Sequence, residues 1–263
     1  MPSPSRGTSG ASSPVRALDR GLALLVELGR GGERPLRDLA IAVGLSPSTT
    51  HRLLEALIAR GFARQAGRHG PYALGVRALE VGSAYVSGGV TEASHEAMAA
   101  VMTEFNETVN LAVRDCAHAV YVHQVEGQQR VRMFTRIGAR VPLHVSGVGK
   151  ALLAWDPTTA PEDLADENGH LKAYTASTLV TPATLRRELG ATARRGYAID
   201  REEYEPGVRC AAAPVRDASG EVVAAISVSA PVFRLDDSRL AEVGGRLVEA
   251  ATRISLRLGW RPG

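Results

Sequence analysis

The chain has 263 residues, 44% of them hydrophobic and 22% charged, with a net charge of +3, a balance that fits a water-soluble folded protein of one large or two modest domains. No apolar run approaches the roughly 20 residues a membrane helix needs. Two cysteines, Cys116 and Cys210, stand outside any paired motif, so neither a disulfide framework nor a zinc site is expected; each reads first as a small buried hydrophobe.

The opening MPSPSRGTSGASSPVR has the Ser, Gly and Pro bias of a disordered leader over residues 1–14 and lacks the apolar centre of a signal peptide, so a cytoplasmic protein is expected. Next, VRALDRGLALLVELGR spaces Leu18, Leu22, Leu25 and Leu28 as one helix face, and LRDLAIAVG forms a short helix ending at Gly44. LSPSTTHRLLEALIARG starts a third helix with Ser46 as N-cap and Pro47 at its first position. FARQAGRHGPYALG then reads as a small hairpin. Helix, helix, turn, helix and hairpin make a winged helix-turn-helix over residues 15–75. Leu36, Leu39, Ile41, Leu45, Leu53, Leu54, Leu57 and Ile58 are its expected core, and Ala40 and Gly44 its close-crossing positions.

The charge is uneven. Residues 1–90 carry eleven Arg, no Lys and six acids, so net +5, while the remainder has 20 basic and 22 acidic groups. That asymmetry points the first third at a polyanion. Ser46, Ser48, Thr49, Thr50 and Arg52 crowd the start of the third helix, where hydroxyls and helix N–H groups reach phosphates and base edges; Arg64 and Arg68 on the hairpin would grip flanking backbone. The serines and Thr49 serve equally as caps, and Arg52 equally as a partner of Glu55 or Asp38.

VRALEVGSAYVSGG is a connecting helix within residues 76–90, and residues 91–260 form a second domain. There, Ala97, Met98, Val101, Met102 and Phe105 make a helix face. TVNLAVRD, AVYVHQVE, VRMFTRI, YAIDREE, RCAAAPVRD and VVAAISVSA are strand candidates, and DDSRLAEVGGRLVEAATRISLRLG closes as a helix. The expected class is α+β with an antiparallel sheet.

HVSGVGKALLA invites comparison with a nucleotide loop. His144 stands where the first P-loop glycine belongs and Ala151 where its hydroxyl belongs, so that reading fails. Ser146, Gly147, Val148 and Gly149 still open a helix, either as an anion cradle of backbone N–H groups or as a plain tightly packed start. Lys150 is either structural or a surface cation. Alternation places Ala225, Ser227 and Ser229 on one strand face, Cys210 and Ala212 share another, and Asp200 ends its strand nearby; these polar groups converge on a ligand pocket or lie on an exposed sheet face. There is no H-E-x-x-H and no G-x-S-x-G, and His118, His123 and His144 read as structural, so no catalytic residue, metal ligand or cofactor is assigned.

With GLSPSTTHRLLEALIARGFARQ, RIGARVPLHVSGVGKALLA and GYAIDREEYEPGVRCAAAPVRDASGEVVAAISVSAP in this order, the chain resembles the IclR family of bacterial transcriptional regulators from about residue 15 to 260. The resemblance implies a winged helix-turn-helix, a linker helix and a C-terminal GAF-like effector domain, in dimers or tetramers on palindromic operator DNA. It implies effector contacts at Ser146, Gly147, Val148, Asp200, Cys210, Ser227 and Ser229, with Met133, Phe134 and Leu143 as pocket walls. DNA contacts are implied at Ser48, Thr49, Thr50 and Arg52, with Arg20 and Arg64 beside them. The expected effector is a small carboxylate or aromatic acid. An enzyme or redox sensor using Cys210, and a constitutive DNA-binding protein with an orphan pocket, are the competing readings.

Overall fold

The structure is a computed structural model that describes residues 15–67, 69–86, 89–130 and 135–262. The leader, Arg68, Met133 and Phe134 lie outside the described residues. Two compact units divide the chain, one ending at Tyr85 and the other beginning at Val86.

The first unit holds α1 (Arg16–Leu28), α2 (Leu36–Ala42), α3 (Pro47–Ala59), the antiparallel hairpin β1 (Ala63–Gln65) and β2 (Tyr72–Leu74), and most of α4 (Val76–Val86). The start of α3 follows from sequence: Ser46 Oγ accepts from Thr49 N–H at 3.2 Å and Pro47 occupies the first turn, where its missing donor costs nothing. Gly44 adopts φ +65° with open space around its Cα, so it serves the turn between α2 and α3 and no close crossing. Leu24, Leu28, Leu39, Leu54, Ala63 and Tyr72 form the core, with Leu36, Leu53, Leu57 and Ile58 packed around it. Ile41, expected inside, is 70% exposed, because the single buried stripe of the short α2 falls on Leu39 and Ala40. Leu18 and Leu22 are also more than half exposed; α1 buries Leu24 and Leu28 and leaves the rest of its apolar stripe open.

The second unit is a six-stranded antiparallel sheet in the order β5-β4-β3-β8-β7-β6. Its strands are β3 (Val109–Asp115), β4 (His118–Val125), β5 (Arg140–Pro142), β6 (Ala198–Arg201), β7 (Val208–Arg216) and β8 (Val222–Pro231). The strand expected at VRMFTRI is not formed over its described part, Thr135 to Ile137; the sixth strand is β5 instead, paired to β4. Helices α5 (Val90–Phe105) and α8 (Asp237–Arg257) cover one face, where Met98, Val101, Leu240, Val243, Leu247 and Ile254 meet Leu111, Ile226 and Val228. Burying each such side chain contributes about 1.5–3 kcal/mol. On the opposite face, α6 (Gly147–Leu153) seats Val148, Ala151, Leu152 and Leu153 on Ala112, Ala212 and Ala225. The alternation read along VVAAISVSA is thus the one adopted. Alanines at the middle of β7 and β8 let helices approach both faces closely. α7 (Pro182–Arg195), capped by Thr181 and ended by the left-handed Gly196, leads into β6. Cys116, expected to be buried, is exposed in the tight β3–β4 turn with φ +53°.

Candidate functional site

Two surfaces carry the residues singled out by sequence, one on each unit. On α3, Ser46 Oγ lies 3.1 Å from Ser48 Oγ and 2.9 Å from Thr49 Oγ1, so the cap and its neighbours form one small hydroxyl cluster with Ser46 and Ser48 exposed. Thr50 is different. It is fully buried and its hydroxyl donates to the Ser46 carbonyl at 3.0 Å, which removes it from the outward-facing set. The periodicity responsible is simple, since Thr50 and Leu54 share the inner face of the helix. Arg52 is exposed and makes no ion pair with Glu55 or Asp38; His51 approaches Glu55 instead, at 3.6 Å. Arg20 is exposed on α1, and Arg64 on β1 is exposed but paired to Glu33 at 3.1 Å.

In the second unit, strand register brings distant residues into rows. Asp200 on β6 pairs with Cys210 on β7, which pairs with Ser229 on β8. One rung further, Ala198, Ala212, Ser227 and Asn110 line up across β6, β7, β8 and β3. Over the first row stands the start of α6. Ser146 caps it, accepting from Gly149 N–H at 3.1 Å while its Oγ donates to the Pro142 carbonyl at 3.0 Å. Together Ser146, Gly147, Asp200, Cys210 and Ser229 line a cavity of about 220 Å³, with Tyr121, Arg140, Val141, Tyr204 and Val208 among its other walls.

The two glycines have separate reasons. A Cβ on Gly147 would lie 2.8 Å from Cys210 Sγ, so glycine keeps the cavity open beside the thiol. A Cβ on Gly149 would collide with the Leu143 backbone, so that glycine serves packing. Leu143 and Val148, expected at the ligand, are buried in the core between α6 and the sheet and do not line the cavity; of Val148 only the backbone could serve a ligand. Ser227 is buried one rung away from the lining, and its Oγ has no hydrogen-bond partner, nor has Asn110 Nδ2 on the adjoining strand.

Lys150 is not a surface cation. It is fully buried, and its Nζ donates to Glu203 Oε1 at 2.5 Å. Glu203 N–H in turn donates to Asp200 Oδ1 at 2.8 Å, which ties the ion pair to the cavity wall. Burial pushes the Asp200 carboxyl up to about 7, against the opposing pull of Lys150. Burial also raises Glu203, again opposed by Lys150. The Cys210 thiol is pushed up to about 12 by burial and by the Asp200 charge, and burial raises the Tyr121 phenol. At neutral pH the thiol is therefore a neutral, weak donor, the opposite of an activated nucleophile.

Sequence reasoning missed Tyr121, Arg140, Tyr204 and the Lys150–Glu203 pair. Tyr121 alone carried a signal, as the one hydroxyl-bearing aromatic within the apolar AVYV stretch. Among the described residues no group of side chains could hold a metal ion, and no helix is long and apolar enough to cross a membrane.

Known proteins match over nearly the whole chain. The family described as Bacterial transcriptional regulator IclR C-terminal matches residues 83–256, and the IclR helix-turn-helix domain matches residues 17–67. The Escherichia coli Transcriptional repressor IclR is 40% identical over 260 residues, 97% of this chain and 94% of that protein. The crystal structure of Thermotoga maritima IclR superposes with a TM-score of 0.77 at 29% identity, over 93% of this chain and 99% of that one. An IclR homologue from Microbacterium hydrocarbonoxydans, crystallised with 4-hydroxybenzoate, gives a TM-score of 0.79 at 25% identity, over 92% and 98%.

Proposed function

Because this chain belongs to the IclR family of bacterial transcriptional regulators, ligand-responsive proteins that bind DNA, we propose that α3 reads a palindromic operator and that the cavity under α6 holds a small organic acid. The regulator represses more readily than it activates, in keeping with the E. coli relative's name. The observation that carries the effector assignment is the row Asp200, Cys210 and Ser229 closed over by Ser146 and Gly147. A cavity of about 220 Å³ suits a small acid, and the 4-hydroxybenzoate bound by the Microbacterium homologue supports an aromatic one as the upper size.

On the DNA side, Ser48 and Thr49 approach the duplex at the α3 start, Arg52 and Arg20 supply exposed positive charge, and Arg64 contributes if it exchanges Glu33 for phosphate. A palindrome requires a two-fold protein. The open apolar faces of α1, at Leu18, Leu22 and Val26, and of α4, at Leu79 and Val81, support a second copy as their cover in a homodimer, with a homotetramer as its doubled form. This reading assigns the site binding and no turnover, and it is supported by the Cys210 thiol, which burial and the Asp200 charge raise away from the thiolate that an enzyme or redox sensor would need. The protein works in the cytoplasm, where its operator is.

The test is selection of bound duplexes from a random DNA pool, followed by titration of the complex with acetate, lactate and 4-hydroxybenzoate. A two-fold symmetric consensus whose affinity shifts with one of these acids is the expected outcome. Tight operator binding indifferent to every small acid would establish the constitutive alternative.

A further inference from the structure

Asp200 lies at the cavity wall, 6% exposed. The ionisable groups acting on it are Lys150 from α6, Glu202 and Glu203 from the segment after β6, Cys210 from β7 and Tyr121 from β4, and Tyr204 adjoins Tyr121. Lys150 is the one ammonium in this set, and Glu203 already matches its charge at 2.5 Å. Arg140 is the one cation that lines the cavity among the described residues, and it is half-exposed and paired to Asp115 at 2.6 Å. Glu205 stands in the lining as a further acid, while Ser146, Cys210 and Ser229 are neutral there. A carboxylate that enters this space therefore meets a carboxylate and no unmatched positive charge among the described residues.

Two carboxylates sharing a desolvated site do not both stay ionised; the pair retains one proton. We propose that this cavity binds a monocarboxylate together with one proton, which is shared between the ligand and Asp200, so that occupancy depends on pH as well as on ligand concentration. The inference rests on reading the cavity as the effector site. Its balance is simple: ligand anion and solvent proton enter together, and no covalent bond is made. The Asp200 carboxyl, buried at the cavity wall and raised by that burial before any ligand arrives, is suited to this role. The resulting O–H···O⁻ bond is charge-assisted, about twice as strong as its neutral counterpart.

Titration calorimetry of the full chain with acetate, lactate and 4-hydroxybenzoate, run at about pH 8 in buffers of different ionisation enthalpy, counts the protons directly. An acid that binds is expected to take up close to one proton per site, with Kd rising about tenfold per pH unit above neutrality. The Asp200→Asn protein, whatever its Kd, should show no uptake and a flat pH profile; if it does not fold, the wild-type proton count decides alone. Binding of an acid by the wild type with no proton uptake and no pH dependence overturns the inference and leaves the effector site standing. Failure of all three acids to bind even at about pH 6, where the proton is more readily supplied, overturns the effector reading and this inference with it.

Discussion

Replacing Lys150 by methionine removes one charge from a place where no water can replace it. The side chain is fully buried, its volume is kept by Met, and the change leaves Glu203 and Asp200 as neighbouring carboxyls without a cation. Removing one partner of a buried ion pair costs about 3–5 kcal/mol. In a folding unit of this size each kcal/mol lowers the midpoint by about 2–4 °C, so the Lys150→Met midpoint should fall by roughly 6–20 °C. Glu203 and Asp200 both titrate above their ordinary values, so the folded state holds more protons than the unfolded one through the weakly acidic range, and stability falls as pH rises there. Without Lys150 that slope steepens, because protonation is the remaining route to neutrality. Thermal unfolding followed by circular dichroism at about pH 5.5 and about pH 8 measures both effects. The loss should be larger at the higher pH, and Lys150→Met combined with Glu203→Gln should recover part of it. A loss below about 1 kcal/mol, or one equal at the two pH values, would refute the assignment of Lys150 as the neutralising charge of this cluster.

Arg52→Ala should weaken operator binding broadly across sequences and reduce the salt slope of binding by about one, measured by fluorescence anisotropy; an unchanged slope takes Arg52 off the DNA. Gly147→Ala places a methyl group 2.8 Å from Cys210 Sγ, so acid binding measured by calorimetry should weaken at least about tenfold while overpacking costs about 1–3 kcal/mol of stability; an undiminished affinity contradicts the lining. His95 Nδ1 and His123 Nε2 are 3.0 Å apart, and burial together with the neighbouring imidazole hold His123 below its ordinary value. The folded state then binds fewer protons than the unfolded one, so stability should drop as pH falls through about 6.5 and level off below the folded value, and His123→Gln should remove part of that drop. Identical profiles for the two proteins in acid denaturation would sink this account.

The features legible in sequence were those set by near neighbours. Ser46 and Pro47 fix the start of α3 within four residues, and the alternation along β8 assigns Ile226 and Ser227 to opposite faces. Periodicity marks an apolar stripe without naming its partner, which is why Ile41 was expected inside a core that closes without it, and why the helix face read through Leu18 says nothing of what covers it. Thr50 stood in the right segment but on the inner face, a distinction that requires knowing where α1 and α2 pack. The burial of Lys150 was out of reach for another reason: its partner Glu203 lies 53 positions further on, and nothing local in GVGKALL distinguishes a buried cation from an exposed one. The pocket itself was half readable, since Asp200, Cys210 and Ser229 become a row only once the register of three strands is known.

The alanines of β7 and β8 give the second unit a mechanical character. Ala211, Ala213 and Ala224 face the α8 side while Ala212 and Ala225 face α6. A methyl group has no rotamer to flip, so a push on one surface of the sheet cannot be absorbed by side-chain rearrangement there and must pass through as displacement of backbone. The sheet thus behaves as a thin stiff diaphragm between the α6 side and the α8 side. Longer side chains at Ala212 or Ala225, both fully buried under α6, have no space to occupy and would push α6 off the sheet, so variants carrying them should lose stability and ligand affinity together.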